Sequence, residues 1–341
     1  MGYVTNALTL FFSLMVEAMP FLLLGVLFSS ALLLFVDERQ LVKAMPQNPI
    51  LGAFAGSLFG FLFPVCECGN VPVARRLIIQ GVPSSVAIGF LLAAPTVNPI
   101  VFWATWTAFR DQPELVFLRI GFSILIATII GCIFSSQKDL RPLLQPGTAN
   151  MLQEPARLSQ NGGRSPSSSL LLQSGTFLLG QPNQPQRLEP SLVFASSSGS
   201  VLSRPWPERF QLLADNMIQE LRELGGVLVL GSAIAAIVQV AVPREIILTL
   251  GQGPVTSIIT MMTLAWVVSI CSTVDSFFAL SFASTFTGGS LLAFMVFGPM
   301  IDVKNIGLLM SVFRGRAILY LFALAAQLTF LLTLLVNLYF S

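Results

Sequence analysis

The sequence is poor in charge and contains no histidine. Only 10% of its 341 residues are charged, against roughly 25% in an average globular chain. Because histidine is missing, we exclude His-ligated haem, His-rich metal sites and Ser–His or Cys–His nucleophile pairs. The net charge of +2 is too small for a general polyanion binder, so we expect no nucleic-acid partner.

Cysteine is also scarce. Cys66, Cys68, Cys132 and Cys271 are too few and too unevenly spaced for a disulfide framework. A G-x-x-x-x-G-K-[ST] phosphate loop is missing, so we expect no ATP hydrolysis by this chain. Since no cofactor motif is present either, we expect neither an enzyme nor a bound cofactor.

Apolar residues are abundant: 54% of the chain is hydrophobic and the mean hydropathy is +0.80. Since about 20 mostly apolar residues cross a bilayer, this composition predicts an all-α, polytopic transmembrane bundle of about ten spans. The predicted spans are 9–36, 50–66, 70–82, 84–109, 116–135, 223–242, 254–270, 273–287, 290–311 and 317–340.

Segment 136–209 separates two transmembrane halves, 1–135 and 210–341. It is rich in Ser, Pro, Gln and Gly, which predicts a flexible linker without a core of its own. Lys138 and Arg141 follow a span directly and favour a cytoplasmic linker, with both termini outside. Arg110, Arg119 and Arg244 then fall on the outside, against this orientation.

The two halves form a weak repeat at an offset of about 205 residues. Its aligned pairs are Cys66 with Cys271, Asn70 with Asp275, Pro95 with Pro299, and Asn98 with Asp302. With an odd number of spans in each half, the two copies would be inverted in the membrane, a common transporter plan.

Both halves contain residues that interrupt a helix. In the first, Pro64, Gly69, Asn70 and Pro72 predict an unwound hinge with Asn70 as the N-cap of the next helix. Asp275 is the predicted cap of the matching helix. Proline followed three residues later by Asn98 or Asp302 predicts two further breaks. Such breaks mark the solute site of many transporters, or are simple kinks with caps at the headgroups.

Glu67, Asp275 and Asp302 are carboxylates within apolar surroundings. A charge at the bilayer centre costs about 2.5–3.5 kcal/mol on insertion scales, so it normally faces protein, water or a ligand. These three residues are candidates for carrying protons or binding a co-ion. Lys304 is placed to pair with Asp302, unless both mark the membrane interface.

The cysteines offer a second kind of chemistry. Cys66 and Cys68 flank Glu67 and are expected to face Cys271 across the repeat. Thiolates bind soft, thiophilic species, although buried cysteine is also a common inert core residue. Cys132 lies in a plain apolar span and is expected to be inert.

Five motifs resemble the predicted-permease family that includes the organoarsenical efflux permeases. The resemblance implies a polytopic inner-membrane permease whose cysteine motifs handle thiophilic metalloid species. Glu67 stands where a small residue is common in that family. The motifs are E-A-M-P-F-L-L-L-G at 17–25, P-V-C-E-C-G-N-V-P-V-A-R-R-L at 64–77, F-L-L-A-A-P-T-V-N-P-I-V at 90–101, I-C-S-T-V-D-S-F at 270–277 and A-F-M-V-F-G-P-M-I-D-V-K-N at 293–305.

Together these features predict a secondary transporter of the bacterial plasma membrane that moves a small solute through a site at the repeat interface. A thiophilic metalloid or a soft metal species is the first class of solute considered. The alternatives are a small-anion permease in which the cysteines only pack, and a membrane thiol oxidoreductase that cycles Cys66 and Cys68. A homo-oligomer or an accessory subunit is the expected partner, besides the lipid. The predicted solute-binding residues are Cys66, Glu67, Cys68, Asn70, Asn98, Cys271, Asp275 and Asp302.

Overall fold

The residues that the computed structural model describes form helices joined by turns and short irregular segments, as the all-α prediction requires. These are 2–35, 45–46, 48–62, 67–136, 144–145, 206–241, 253–283 and 285–340. Twelve helices lie in these ranges. They are α1 (Gly2–Phe35), α2 (Pro49–Leu62), α3 (Glu67–Ile79), α4 (Ser84–Ala93), α5 (Pro99–Ala108), α6 (Pro113–Ser135), α7 (Trp206–Ala241), α8 (Pro254–Val268), α9 (Asp275–Leu280), α10 (Gly288–Met300), α11 (Val303–Leu309) and α12 (Gly315–Phe340).

Four helical stretches in the described part are long and apolar enough to cross a membrane. They are Thr5–Ser30, Pro113–Ser135, Gly288–Val312 and Gly315–Tyr339. Shorter apolar helices accompany them, at Pro49–Phe61, Ser84–Ala93 and Pro254–Val268. The number of crossings, the orientation and the inverted repeat remain predictions.

Several helices differ from the predicted spans. The predicted span 84–109 is divided into α4 and α5, and 273–287 contains only the six-residue α9. Helix α7 begins at Trp206, within the predicted linker, rather than near 223. Its first turns are rich in charge, so a hydropathy window misses them. Most of the linker lies outside the described residues.

The helices follow a similar order in the first half, α1–α6, and the second half, α7–α12. Each half begins with a helix of more than 30 residues, continues through four shorter ones and ends with a helix of more than 20. In the first half α2, α4 and α6 pack against one another, and α8, α10 and α12 do the same in the second. The matched packing places the remaining short helices, α3, α5, α9 and α11, between the two halves.

Proline begins four of the helices: α2, α5, α6 and α8 start at Pro49, Pro99, Pro113 and Pro254. The first helical position needs no N–H donor, and the proline ring presets the required φ angle. Proline therefore sets where these helices begin.

Two predicted breaks are confirmed as capped restarts. The Asn98 side chain accepts a hydrogen bond from the Val101 amide at 2.8 Å, at the start of α5. The Asp302 side chain accepts one from the Asn305 amide at 2.5 Å, at the start of α11. Helix α10 continues through Pro299 and ends one residue later, so the break follows this proline instead of coinciding with it.

A stripe of glycines brings α2 against α4. Gly52, Gly56 and Gly60 recur every four residues along α2. A Cβ atom added at Gly56 would overlap the backbone carbonyl of Val86, and one at Gly60 would lie 2.5 Å from the Ala94 Cα. Small residues at this spacing allow close backbone approach in membrane helices. They fix the position of α4, and hence of the break that follows it.

We predict that Gly56→Ala destabilises the protein by about 1–3 kcal/mol, because the added methyl has no space and the obstacle is backbone. Gly121→Ala is the matched control, since nothing lies within 4 Å of a Cβ at that helical position. Alanine is the better helix former, so the control should be neutral or gain up to ~1 kcal/mol. Thermal unfolding in detergent measures both, and equal effects would contradict the packing described.

Candidate functional site at the helix breaks

The short helices of the two halves cross in pairs. Helix α3 of the first half packs against α11 of the second, and α9 of the second half packs against α5 of the first. Each pair joins a helix that begins at or just after a cysteine motif with a helix that begins at a capped break. A buried cluster of ionic and polar side chains lies at each crossing.

The first cluster joins Glu67, at the start of α3, to Lys304 of α11. The Lys304 ammonium donates to Glu67 Oε1 at 3.0 Å and lies 4.0 Å from Asp302 Oδ2. It also donates to the Ser269 carbonyl at 3.5 Å. All three ionic side chains are at most 2% exposed. The predicted pairing of Lys304 with Asp302 is therefore secondary to a shorter contact with the other half.

The second cluster is built around Arg119 of α6, which is 1% exposed. Its guanidinium donates to Asp275 Oδ2 at 2.7 Å and to the Ser272 carbonyl at 3.3 Å. It also donates to the hydroxyls of Thr105 at 2.8 Å and Ser276 at 2.7 Å. Arg119 is therefore an internal partner for Asp275 and not the outside marker that the charge pattern suggested.

Two predicted N-caps are wrong. Helix α3 begins at Glu67, so Asn70 lies within its first turn. Asp275 is the first residue of α9, with Val274 at the cap position. Its carboxylate accepts hydrogen bonds from Arg119 and from the Ser276 hydroxyl. A buried arginine competes for this carboxylate more strongly than a helix terminus does, since charge-assisted bonds are the stronger ones.

Two of the predicted cysteines lie near the first cluster. Cys68 and Cys271 are buried, free thiols, and both are within electrostatic range of Lys304. Cys66 lies outside the described residues. Cys132 is a half-buried free thiol in α6. The geometry thus brings the thiols of both halves to the crossing of α3 and α11.

Several polar atoms at this crossing have no hydrogen-bond partner among the described residues. They include both amide atoms of Asn70, Glu67 Oε2, Asp302 Oδ2 and Asn305 Oδ1. Pro72 has no N–H, so the Cys68 carbonyl also lacks its usual intrahelical donor. Buried groups of this kind are normally satisfied. Polar capacity therefore remains here for a proton or a solute.

Two cavities lie elsewhere in the described part. One, of about 440 Å³, is lined by Asp111, Glu114 and Asn337 among others, near the start of α6. The other, of about 400 Å³, is apolar and includes Trp266 and Phe322. Neither lining includes a residue of the two ionic clusters. No group of three or more Cys, Asp or Glu side chains in the described ranges is placed to hold a metal ion.

Further polar contacts join the two halves. Arg75 of α3 pairs with Glu223 of α7 at 2.9 Å, and their side chains are 14% and 45% exposed. Ser29 donates to Glu220 at 3.1 Å. The partly exposed ion pair provides a natural comparison for the two buried clusters.

The outer faces of the helices are apolar, the reverse of the pattern in a water-soluble bundle. Trp103, Leu230 and Leu338 are 66–70% exposed, whereas Glu67, Arg119 and Lys304 are buried. Lipid accepts such a surface, and irregular backbone at membrane depth is tolerated only inside protein or around a cavity. Together with the apolar helices of spanning length, this pattern defines a multi-pass membrane protein.

The chain belongs to the predicted-permease family, whose model matches residues 3–338, and this confirms the resemblance seen in the motifs. UPF0718 protein YcgR of Bacillus subtilis strain 168 is 36% identical over 92% of this chain and 90% of its own length. The "Putative two-component membrane permease complex subunit" of Streptococcus mutans is 31% identical over 93% of this chain and 90% of its own length. No solved structure matches the chain significantly.

Sequence reasoning missed Arg119 as a site residue. The signal was present, because Arg119 is the one charge within the apolar stretch 115–135. An ionisable residue inside a span indicates a function or a buried partner. Its partner on another helix, far along the chain, is not encoded locally.

We predict that Asp275→Asn destabilises the protein by about 3–5 kcal/mol, because Arg119 is left buried without its counter-charge. Combining it with Arg119→Gln should restore part of the loss. Glu223→Gln is the control at the exposed pair and should cost only about 0.2–1 kcal/mol. Thermal unfolding in lipid nanodiscs compares all three, and equal losses at the two acids would contradict the burial difference.

Proposed function

We infer that the chain is a secondary transporter of the bacterial plasma membrane that moves a small thiophilic solute, such as a trivalent metalloid compound. The site lies where α3 crosses α11, between the two halves. The observation that carries this inference is that Cys68 and Cys271 are both buried within electrostatic range of Lys304. The orphaned Asn70 amide lies in the first turn of the same helix as Cys68. Membership of the predicted-permease family supports transport but leaves the solute open.

Six of the eight predicted site residues have a role in this mechanism. Cys68 and Cys271, with Cys66, hold the soft atom of the solute, because thiolates prefer soft partners. The unpartnered amide of Asn70 orients its polar part. Asn98 and Asp302 act through the backbone, since their side chains cap α5 and α11 and fix where those helices begin.

The small-anion alternative is less well supported. Helix N-termini bind anions through free N–H groups and a positive dipole end. At α5 and α11 part of this capacity is already used by the capping side chains of Asn98 and Asp302. The buried cations Arg119 and Lys304 also contact carboxylates already. Thiol oxidoreductase activity has no support beyond the free state of Cys68 and Cys271.

The two-repeat plan and an accessory partner are part of the proposal. The similar helix order of the two halves supports two repeats, which would be inverted if each half crosses an odd number of times. The Streptococcus relative is named as a subunit of a two-component membrane permease complex. We therefore expect a membrane subunit to assemble with this chain.

We predict that phenylarsine oxide, a trivalent arsenical, stabilises the purified protein by roughly 2.7 kcal/mol at about 100 times its dissociation constant. Cys68→Ser with Cys271→Ser should abolish this thermal shift, and its transport into proteoliposomes, without preventing membrane insertion. The half-buried Cys132 gives the control, and Cys132→Ser should keep both. Full retention in the double variant, or a shift with phosphate or arsenate instead, would reject the thiol site.

A further inference from the structure

The two buried clusters do not balance in charge. Among the described residues they contain the carboxylates of Glu67, Asp275 and Asp302 and the cations Arg119 and Lys304. With every group ionised, one negative charge is left over. An uncompensated charge is costly to bury, so the site is built to take up one positive charge.

The excess does not reside on Asp275. One of its oxygens accepts from Arg119 at 2.7 Å and the other from Ser276 at 3.1 Å. The same guanidinium is held by Thr105. Charge and hydrogen bonds are therefore matched at this carboxylate, and the excess falls on the other cluster.

Glu67 and Asp302 share a single cation. The Lys304 ammonium is 3.0 Å from Glu67 Oε1 and 4.0 Å from Asp302 Oδ2. Glu67 Oε2 and Asp302 Oδ2 are buried without a hydrogen-bond partner in the described part of the chain. One ammonium thus serves two carboxylates, and each retains an unsatisfied oxygen.

A proton fits this deficit better than a larger cation. The three side chains are at most 2% exposed, and none lines either of the two cavities described above. A proton adds no volume, and it turns an unsatisfied carboxylate oxygen into a neutral hydroxyl.

The position of Lys304 decides what the proton controls. Lys304 and Asp302 belong to the second half, and Glu67 to the first. When Lys304 pairs with Glu67 it joins the halves, whereas pairing with Asp302 is confined to one loop and helix. A proton on Glu67 would therefore release the contact between halves, and a proton on Asp302 would preserve it.

We propose that Glu67 and Asp302 share one exchangeable proton and that Lys304 alternates between them, bonding to the carboxylate that is ionised. The proton comes from water and returns to water, and no other bond forms or breaks. This deepens the proposed transport function and rests on it for its consequence, the coupling of proton exchange to movement between the halves.

Within the part of the chain that the structure describes, the following groups lie near the pair. Cys68 and Cys271 lie within electrostatic range of Lys304, and Asp275 within that of Glu67. The backbone carbonyl of Ser269 accepts a hydrogen bond from the Lys304 ammonium. Gly231 of α7 packs against the Lys304 backbone. A Cβ atom added at Gly231 would lie 3.0 Å from the Lys304 carbonyl oxygen. Of these, Asp275 is already matched by Arg119.

The test is an infrared titration of the full chain in nanodiscs, without solute, following the carbonyl stretch of protonated carboxyl groups. Near neutral pH, exposed carboxyls are ionised because their pKa values lie at roughly 4, so the shared proton should give the remaining band. Glu67→Gln and Asp302→Asn each leave one acid to pair with one lysine. That acid then needs no proton, so each variant should lose the band. Lys304→Met leaves two unpaired acids and should give roughly twice the intensity.

The variants are chosen to keep the fold. Asparagine caps helices well, and Asn98 already does so at the equivalent break. Glu114→Gln, an exposed acid beside the larger cavity, is the control and should keep the band. A band that persists in either Glu67→Gln or Asp302→Asn, or that is absent from the unsubstituted protein, would overturn the proposal. A band lost as expected in a protein that ignores phenylarsine oxide would support proton exchange and reject only the thiophilic solute.

Discussion

The structure depends on one constraint: a charge buried at membrane depth must find its partner inside the protein. Lys304 and Arg119 are both buried, and each forms an ion pair with an acid of the opposite half. Because partial pairing leaves a buried ion, these contacts require the halves to meet in one register. The exposed pair of Arg75 and Glu223 joins the same halves. It constrains their register much less, since water can replace either partner.

The helix breaks follow from the same constraint. A continuous helix through the crossing would distribute its side chains around its whole circumference. Because α3 and α11 begin at the crossing, their first residues lie there instead. Asn98 and Asp302 end the unwound segments by capping, and the glycines of α2 allow α4 to come close enough to position one of them. Packing, capping and ion pairing thus converge on the region that contains Cys68, Cys271 and the free Asn70 amide.

Much of this was available from the sequence. Composition predicted a helical membrane protein, and the spacing of Pro299 and Asp302 predicted a capped restart, because both signals act locally. The partner of Glu67 was not predictable, since Lys304 is 237 residues away and the nearer Asp302 offered a plausible alternative. The pairing of Arg119 with Asp275 was not predictable for the same reason, since 156 residues separate them. Asn70 was placed as a cap by residue type, but the helix begins three residues earlier at Glu67.

The most direct test of cross-half pairing is a double-mutant cycle between Glu67→Gln and Lys304→Met, with stability measured in nanodiscs. If the two side chains form the contact that joins the halves, the double variant should be more stable than the sum of the single effects implies, with a coupling energy of roughly 0.5–3 kcal/mol. Effects that add to within about 0.3–0.5 kcal/mol would show that the two residues do not interact, and would contradict the account.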